Sequence, residues 1–278
     1  MGSEMCIRDS SGRVIGVNTA ILSPTGGSVG IGFAIPSELA IAVTDQLIAN
    51  GKVSRGWLGV TIQPVTEDMA DALDLAEAKG AIVSDLQSGG PAEKSGIERS
   101  DVIVSVNGVG IEDATGLTRE VGKLIAGTEN DFVVIRDKVR RTVKVKVDER
   151  PEDTASGFGT TESAPQNEDS SDDSKGSVEA ELGLTLAPMT DDDRERLNLK
   201  EGDRGVMIED IDRDSPLAAN GVTKGMAVLE VNSRSVSSIE SYNNAIDLAR
   251  KQGKSNVLLA IRNGSRTIFL AADLSSEE

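Results

Sequence analysis

The segment whose residue types and spacing could do binding chemistry is a glycine loop at residues 55–62, with the sequence RGWLGVTI. Gly56 and Gly59 enclose two bulky apolar residues, and a β-type pattern follows the second glycine. Consecutive backbone N–H groups in such a loop converge into a concavity that binds an anion. Arg55 adds a positive charge that attracts a carboxylate. The loop therefore predicts a site for the free carboxyl end of a chain.

The strand after this loop predicts how the rest of a ligand is held. An edge strand with unpaired N–H and C=O groups accepts an extended peptide as an additional strand, which is β-augmentation. The same glycine pattern is also compatible with a β-bulge that binds nothing. For one isolated loop, both interpretations stay open.

The composition excludes several kinds of chemistry. The chain has 278 residues, no histidine and one cysteine, so it holds neither a Ser–His–Asp triad nor a histidine or multi-thiolate metal site. Its net charge of −17 disfavours nucleic acid and anionic membranes as partners. No apolar run is long enough for a membrane span, and residues 1–8 lack a signal-peptide pattern. We therefore predict no catalytic residue, no metal and no cofactor.

The glycine loop belongs to an order of motifs that occurs twice. The first copy has Leu-Gly-Val-Thr at 58–61, Gly-Ala-Ile-Val at 80–83, Gly-Pro-Ala-Glu-Lys-Ser-Gly-Ile at 90–97 and Val-Ile-Val-Ser-Val-Asn at 102–107. The corresponding runs of the second copy lie at 182–185, 205–208, 215–222 and 228–232. A unit of roughly 90 residues that occurs twice is a duplicated domain and not a solenoid repeat. We name residues 52–150 repeat 1 and residues 178–278 repeat 2.

The elements within each repeat predict a mainly β fold with helices, of the α+β class. Repeat 1 has strand patterns at 80–86, 101–107, 132–135 and 142–147, a short helix after Pro91 and a long helix at 113–126. Repeat 2 has the same order, with its long helix at 239–251 and a final hairpin that turns at 263–264.

Two further segments differ from the repeats. Residues 12–22 and 29–35 predict strands, and Ser37 is the expected N-cap of a helix that ends at Asn50-Gly51. Two strands and one helix are too few to form an independent core. We therefore interpret them as the end of a larger domain. We expect the apolar face of this helix to pack within that domain. Residues 151–177 are acidic and rich in serine, which predicts a disordered linker.

Both repeats resemble PDZ domains of the bacterial type. The resemblance rests on the loop at 56–60, on Ser-Gly-Gly-Pro-Ala-Glu-Lys-Ser-Gly-Ile at 88–97 and on Asp-Val-Ile-Val-Ser-Val-Asn-Gly at 101–108. In addition, residues 12–21 and 30–37 resemble the end of the trypsin-like domain of the Do-like (HtrA) serine proteases. The order of protease end, PDZ unit, linker and PDZ unit is similar to that family.

The resemblance implies an organisation in five parts. These are a foreign or non-native start at 1–8, the last strands and helix of a trypsin-like β-barrel domain at 9–51, PDZ domain 1 at 52–150, the linker at 151–177 and PDZ domain 2 at 178–278. Each PDZ unit is expected to be a partly open β-barrel or sandwich with two helices. The family's Gly-Asn-Ser-Gly-Gly motif would place its nucleophile at Ser3, but Glu4 and Met5 follow this serine in place of the glycines that form the oxyanion hole. We therefore expect this chain to hydrolyse nothing.

The resemblance also implies which residues bind a peptide in repeat 1. The carboxylate loop with its apolar pocket comprises Arg55, Gly56, Trp57, Leu58, Gly59, Val60, Ile62, Leu117 and Val121. Leu117 and Val121 lie on the long helix and are equally expected as core residues. Trp57 either covers the ligand or contacts the end of the protease domain.

A weaker peptide site is implied in repeat 2, at Leu182, Gly183, Leu184 and Leu186. Glu179 and Glu181 precede this loop, and their like charge disfavours an incoming carboxylate. Met226 also stands where repeat 1 has Asp101. Assembly is the other role open to this repeat.

The function that the resemblance implies is peptide recognition within a serine endopeptidase of the bacterial envelope. The PDZ units would bind exposed C-termini or extended apolar segments of unfolded proteins and regulate or feed proteolysis. The whole protein would be periplasmic and a homo-oligomer based on trimers. The alternative is a tandem PDZ adaptor or holdase without catalysis, although the strands at 12–35 would then have no barrel to join.

Overall fold

The computed structural model describes residues 6–22, 30–150, 178–200 and 202–274. The predicted linker at 151–177 and most of the predicted foreign start lie outside these ranges. The chain forms two compact units, which divide between Arg55 and Gly56. We describe each unit by itself.

The first unit is a small antiparallel sheet followed by one helix. Its elements are β1 (Cys6–Arg8), β2 (Val14–Ile21), β3 (Gly32–Pro36) and α1 (Ser37–Asn50). The sheet order is β1-β2-β3, so Cys6–Arg8 pairs with the predicted first strand. Helix α1 ends at Gly51 in the left-handed region, as expected. Its N-cap is Pro36 and not Ser37, which is already helical and makes no capping hydrogen bond.

Large apolar side chains of the first unit remain exposed. Phe33 is 56% exposed in β3, and Ile48 of the predicted packing face of α1 is 80% exposed. The others are Ile7, Val14, Ile15, Val17, Ile21, Leu22, Ile31, Ile35, Leu39, Ile41 and Leu47. Single exposed apolar residues are ordinary, but a set this dense on one small sheet and helix marks a surface that other protein normally covers.

The second unit contains repeat 1 from Gly56 onward and all of repeat 2. The elements of repeat 1 are β4 (Gly56–Trp57), β5 (Val60–Pro64), α2 (Glu67–Ala72), β6 (Ala81–Leu86), α3 (Pro91–Lys94), β7 (Val102–Val106), β8 (Val109–Gly110), α4 (Ala114–Lys123), β9 (Glu129–Arg136), β10 (Val139–Lys146) and β11 (Asp148–Glu149). Its main sheet has the order β10-β9-β7-β6-β5, with β8 on β7, and β4 pairs separately with β11.

Repeat 2 follows the same order of elements. They are β12 (Val178–Ala180), a 3-10 turn (Glu181–Gly183), β13 (Leu184–Pro188), α5 (Asp191–Arg196), β14 (Val206–Ile211), α6 (Pro216–Ala219), β15 (Ala227–Val231), β16 (Arg234–Ser235), α7 (Ile239–Lys251), β17 (Asn256–Asn263) and β18 (Arg266–Asp273). Its sheet has the order β12-β13-β14-β15-β17-β18, with β16 on β15.

These elements confirm the α+β class with open sheets. Helix α7 has the predicted bounds, and Asp113 caps α4 by accepting a hydrogen bond from Gly116 N–H. Each repeat also has a short helix, α2 or α5, beyond the two expected. Thr66 and Thr190 are their N-caps, and the acidic first turns favour the positive helix end.

Each repeat has its own core between its sheet and its long helix. The core of repeat 1 includes Phe132, Ile103 and Leu117, all fully buried. The core of repeat 2 includes Tyr242, Ile246 and Leu184. Because alternate residues of a strand face opposite sides of the sheet, the other face of each sheet needs a separate partner.

The two repeats are that partner for each other, because the second faces of their sheets pack together. Ile82 and Val102 of repeat 1 share one buried cluster with Leu258, Ala260 and Phe269 of repeat 2. Helix α2 adds further members of the cluster, including Met69, Ala70 and Ala72. The two repeats therefore pack against each other and are not independent domains joined only by a linker.

Polar contacts complete this interface. The Arg262 guanidinium of β17 lies 3.1 Å from an Asp85 carboxylate oxygen of β6, and the Arg262 side chain is only 7% exposed. Asp85 also accepts a hydrogen bond from Thr267 N–H at 2.7 Å. Gln63 of β5 accepts one from Phe269 N–H at 2.8 Å. Repeat 2 therefore contacts the strand that follows the glycine loop.

Two ion pairs at the rim of the interface make it sensitive to acid. Asp74 lies 2.9 Å from Lys254, and Glu93 lies 2.6 Å from Lys200. Hydrogen bonds from Lys138 and Lys254 lower the pKa of Asp74 below 3.8. The Lys200 ammonium, followed by the Gly89 N–H, lowers the pKa of Glu93 below 4.5. These pairs stabilise the interface above the ordinary carboxyl pKa values, and that contribution is lost as pH falls through the lower folded-state values.

We therefore expect a modest loosening of the contact between the repeats when the pH falls below about 4. Small-angle X-ray scattering of the chain between pH 6 and pH 3 measures it as an increase in the radius of gyration. The Asp74→Asn/Glu93→Gln variant is the control, because it lacks both titrating groups. An equal pH response in the variant and the wild type would contradict the assignment.

Candidate functional site

The glycine loop lies where β4 turns into β5, and both of its glycines are required by their surroundings. Gly56 is buried, and a Cβ at this position would lie 2.5 Å from the Val121 carbonyl oxygen of α4. Gly59 has φ +70°, and a Cβ there would lie 3.0 Å from the Trp57 ring. The first glycine lets the loop approach the long helix, and the second permits the left-handed turn.

Three consecutive backbone N–H groups in this loop have no acceptor within the described part of the chain. Leu58 N–H and Gly59 N–H donate to no atom among the described residues. The Gln87 N–H donates to the Gly59 carbonyl at 2.8 Å, which makes Val60 and Leu86 a non-hydrogen-bonded pair. The N–H and C=O of Val60 therefore point away from β6. Buried or half-buried N–H groups are nearly always paired, so this group of three indicates a place for an acceptor.

The strand after the loop has an open side. In the main sheet of repeat 1, β5 pairs with β6 on one side, and no described strand pairs with it on the other. The open side faces along α4, which contacts β5. An extended segment can therefore add to β5, as the sequence predicts.

The predicted pocket residues divide into two groups by exposure. Leu58, Leu117 and Val121 are buried in the core of repeat 1, at 4%, 1% and 8% exposed. Val60 and Ile62 are half-buried and pack on the same core. Of the predicted pocket residues, Val60 and Ile62 are therefore accessible in part, whereas Leu117 and Val121 are enclosed in the core.

The remaining two predicted residues are at the mouth of the loop. The half-buried Trp57 ring lies against Gly59 and so covers part of the loop itself. Arg55 is exposed and forms no hydrogen bond or ion pair with another described residue. Its guanidinium is therefore available to a carboxylate.

The corresponding loop of repeat 2 has a different surrounding. Leu182, Leu184 and Leu186 are all buried in the core. Strand β12 pairs with β13, so the strand edge that is open in repeat 1 is covered in repeat 2. Glu181, predicted to repel a carboxylate, forms an ion pair of 2.8 Å with Arg250 of α7. The predicted site at Leu182, Gly183, Leu184 and Leu186 thus lies beside a strand of the chain itself.

Asp101 has a structural role, so the change to Met226 carries no information about the peptide site. Asp101 is fully buried and forms a two-point contact of 2.7 Å with Arg136, whose pKa is raised mainly by this hydrogen bond. In repeat 2, the register of the strands places the buried Met226 and the exposed Asn263 at the two equivalent positions. Neither residue is charged, so the ion pair of repeat 1 has no counterpart at these positions of repeat 2.

Two residues at the second site were missed by sequence reasoning. Tyr242 of α7 stands at the position of Leu117 and donates from its hydroxyl to the Glu181 carbonyl at 3.1 Å. Ser215 donates to the Leu182 carbonyl at 2.7 Å. Tyr242 is the one tyrosine of the chain, and comparison of the two repeats position by position would have found it.

The described residues offer no other chemistry of the kinds considered. Within them, no group of three or more Cys, Asp and Glu side chains is arranged to hold a metal ion. None of the helices in the described ranges has both the length and the apolar character to cross a membrane.

Comparison with known proteins gives matches over nearly the whole chain. A family model described as "PDZ domain" matches residues 56–147. A "Probable periplasmic serine endoprotease DegP-like" of Brucella suis is 40% identical over 269 residues, which are 97% of this chain and 49% of that protein. The protein of the same name from Chlamydia trachomatis is 34% identical over 96% of this chain and 49% of its own length. The chain spans about half the length of the curated relatives it matches.

Among solved structures, "HtrA-type protease AlgW with decapeptide" is 38% identical to this chain. The match includes 51% of this chain and 44% of that chain, with a TM-score of 0.44. The relatives are named as periplasmic, in agreement with the predicted envelope location. Residues 56–147 are thus a PDZ domain, and the chain is related over nearly its whole length to the periplasmic DegP-like serine endoproteases, which confirms the resemblance to the Do-like (HtrA) family.

Proposed function

We propose that repeat 1 captures the free C-terminus of an extended protein segment by β-augmentation. The observation that carries the proposal is that the N–H groups of Leu58, Gly59 and Val60, at the start of an open strand, have no acceptor among the described residues. A carboxylate accepts several hydrogen bonds at once, and charge-assisted bonds are the stronger kind. The exposed Arg55 adds a charge of the right sign.

The body of the ligand would lie antiparallel to β5, between β5 and α4. Main-chain hydrogen bonds to an open strand are independent of sequence, which suits the varied termini of unfolded proteins. The half-buried Val60 and Ile62 would select an apolar last side chain. Nothing in this mode needs a cofactor.

The larger role we propose is regulation of a serine endopeptidase in the bacterial envelope, or delivery of substrate to it. Support comes from the names of the relatives and from the first unit, whose exposed sheet and helix surface has the character of a domain fragment. Within this proposal, residues 9–51 are the end of a trypsin-like domain, and the whole protein is a trimer-based homo-oligomer. The chain by itself offers no Ser–His–Asp triad, because it contains no histidine. A stand-alone adaptor or holdase is less favoured, because its first unit would expose this apolar surface permanently.

The decisive experiment changes only the ligand carboxylate. For a short peptide with an apolar last residue, C-terminal amidation should weaken binding to the chain at least about tenfold, which corresponds to about 1.4 kcal/mol. Isothermal titration or fluorescence anisotropy measures both affinities. Acetylation of the peptide N-terminus is the matched control and should change the affinity less than about twofold, since that end lies away from the loop. Equal affinity for the amide and the acid would remove carboxylate capture from the proposal.

A further inference from the structure

Repeat 2 carries a strand of its own chain where repeat 1 has an open edge. Val178, Glu179 and Ala180 pair antiparallel with Leu186, Thr185 and Leu184. The Asp212 N–H donates to the Gly183 carbonyl at 2.8 Å, so Leu184 turns its N–H away from β14, as Val60 does from β6. In repeat 2 this outward group meets Ala180, whereas in repeat 1 no described strand pairs with the equivalent group of Val60.

The covering strand lies in the position that a bound peptide would occupy. Strand β12 contacts α7 as well as β13, so it lies between the strand and the long helix. Its antiparallel direction is one that β-augmentation permits. Ala180 packs on the core of repeat 2, while Val178 is 50% exposed. This segment thus has the geometry of a ligand that is covalently attached to its own site.

Side chains of α7 and α6 hold this segment in place. The Tyr242 hydroxyl donates to the Glu181 carbonyl at 3.1 Å, and Arg250 lies 2.8 Å from the Glu181 carboxylate. The Ser215 hydroxyl donates to the Leu182 carbonyl at 2.7 Å. Repeat 1 has the apolar Leu117 at the position of Tyr242, and its helix α4 ends at Lys123, before a position equivalent to Arg250 is reached. The contacts that retain the segment are therefore particular to repeat 2.

The turn that directs β12 onto β13 is conformationally unfavourable. Leu182 has φ +67°, in the left-handed region that a residue with a side chain rarely adopts. The following Gly183 has φ +65° and adopts this region without strain. Departure of β12 would relieve Leu182, so the covered arrangement is opposed by its own turn and depends on the contacts to Tyr242, Arg250 and Ser215.

We propose that repeat 2 is a self-blocked peptide site, in which Val178–Ala180 is an internal ligand that must leave before an external extended segment can bind. The inference rests on the proposed function for the chemistry of the channel. A strand tethered by a three-residue turn has an effective concentration in the millimolar range or above. An external peptide is then weakened by the fraction of molecules in which β12 is away from β13.

The test compares the wild-type chain with two released variants. V178G/E179S/A180G removes the side chains of the blocking strand and leaves β13 and α7 intact. Tyr242→Phe/Arg250→Gln leaves the strand in place and removes two groups that hold it, while the aromatic ring still fills the core. Lys251→Gln is the matched control. It removes a cationic side chain from the same helix, and the Lys251 side chain pairs with no described residue.

The readout is two-dimensional ¹⁵N NMR of the full chain, titrated with the synthetic peptide Ser-Val-Glu-Ala-Glu-Leu, copied from residues 177–182. We expect both released variants to show saturable shifts at the Leu184 and Leu186 amides. The apparent affinity should be at least about tenfold tighter than in the wild type and in Lys251→Gln. Amide hydrogen exchange at these two residues should accelerate by a similar factor.

Two results would overturn the proposal. One is equal affinity at Leu184 and Leu186 in the wild type and the released variants, because β12 would then block nothing. The other is no shift in a released variant whose Val257 and Ile261 signals stay native, because the channel would then bind no peptide. If V178G/E179S/A180G unfolds repeat 2, Tyr242→Phe/Arg250→Gln decides between these results. Shifts at Val60 and Ile62 report repeat 1 separately, so a failure of the proposed function is recognised independently.

Discussion

Replacement of Phe269 by alanine is expected to separate the two repeats. Phe269 is 1% exposed and lies in the cluster where the sheet of repeat 1 meets the sheet of repeat 2. Truncation of a buried phenylalanine costs about 3–5 kcal/mol, from lost burial and from the cavity that remains. Because that cavity lies between the repeats, the substitution weakens the free energy with which the repeats associate. We expect a larger radius of gyration at neutral pH and unfolding in two steps instead of one.

Two probes can separate these steps. The one tryptophan, Trp57, reports on repeat 1 by its fluorescence, and far-ultraviolet circular dichroism reports on both repeats. The matched control is Phe132→Ala, since Phe132 is fully buried in the core of repeat 1 alone. It should lower the stability of repeat 1 by a similar amount while the native chain stays compact. A compact Phe269→Ala variant with coincident transitions would show that the repeats do not depend on this contact.

The fold within each repeat could be predicted because its signals are local. Alternation of Val143, Val145 and Val147 with lysines gives a strand with one wet face, and β10 has this character. Helix α7 was predicted to the residue because Ser238 is a strong N-cap and an apolar stripe follows it. The third helix of each repeat was missed because Glu67–Ala72 and Asp191–Arg196 are too short to show a helical period.

The contact between the repeats could not be predicted from motifs, although the sequence contains a sign of it. Strands β6, β7 and β17 are apolar at consecutive positions, as in Ala81-Ile82-Val83 and Val257–Ile261. In an antiparallel sheet with one wet face, alternation is expected, so continuous apolar runs indicate burial on both faces. Such runs show that a partner exists, but they do not identify repeat 2 as that partner. The pairing depends on non-local contacts such as that of Gln63 with Phe269.

The candidate site shows the same division between local and non-local information. The position of the glycine loop follows from two glycines whose conformations only that residue tolerates easily. Whether the edge of β13 in repeat 2 is open or covered does not follow from its sequence. Glu179 and Glu181 predict repulsion of a ligand carboxylate, but they do not indicate the path of the backbone. The sequence shows the charge of these two glutamates directly. The covering strand β12 depends instead on the turn at Leu182 and on the contact with Tyr242.

The contact between the repeats also links the two candidate sites. Gln63 lies on β5, the strand that would pair with a ligand, and its side chain binds the backbone of β18. Asp85 lies on β6, the neighbour of β5, and binds Arg262 of β17. A ligand that shifts β5 therefore acts on a strand already fixed from the other face. The ion pair of Asp85 with Arg262 is one part of this fixation.

Replacement of Asp85 by alanine is therefore expected to be as damaging as the loss of Phe269, for an electrostatic reason. The Arg262 side chain is 7% exposed and keeps only carbonyl and hydroxyl acceptors, from Leu197, Asn198 and Thr267, when the carboxylate is removed. Removal of one partner of a buried pair costs about 3–5 kcal/mol, because the other charge stays desolvated without compensation. Urea unfolding followed by circular dichroism measures this loss.

The partner substitution and a surface pair separate this cause from a general loss of stability. Asp85→Ala/Arg262→Met should recover a large part of the loss, because an apolar pair of similar volume carries no desolvation cost. Glu129→Ala breaks the Lys144–Glu129 pair, whose side chains are 66% and 63% exposed, and should cost less than about 1 kcal/mol. If the double variant is no more stable than Asp85→Ala, the uncompensated charge is not the cause. The damage would then arise from the hydrogen bonds that Asp85 accepts from the Thr267 N–H and hydroxyl, and Thr267→Val should reproduce the part that the hydroxyl contributes.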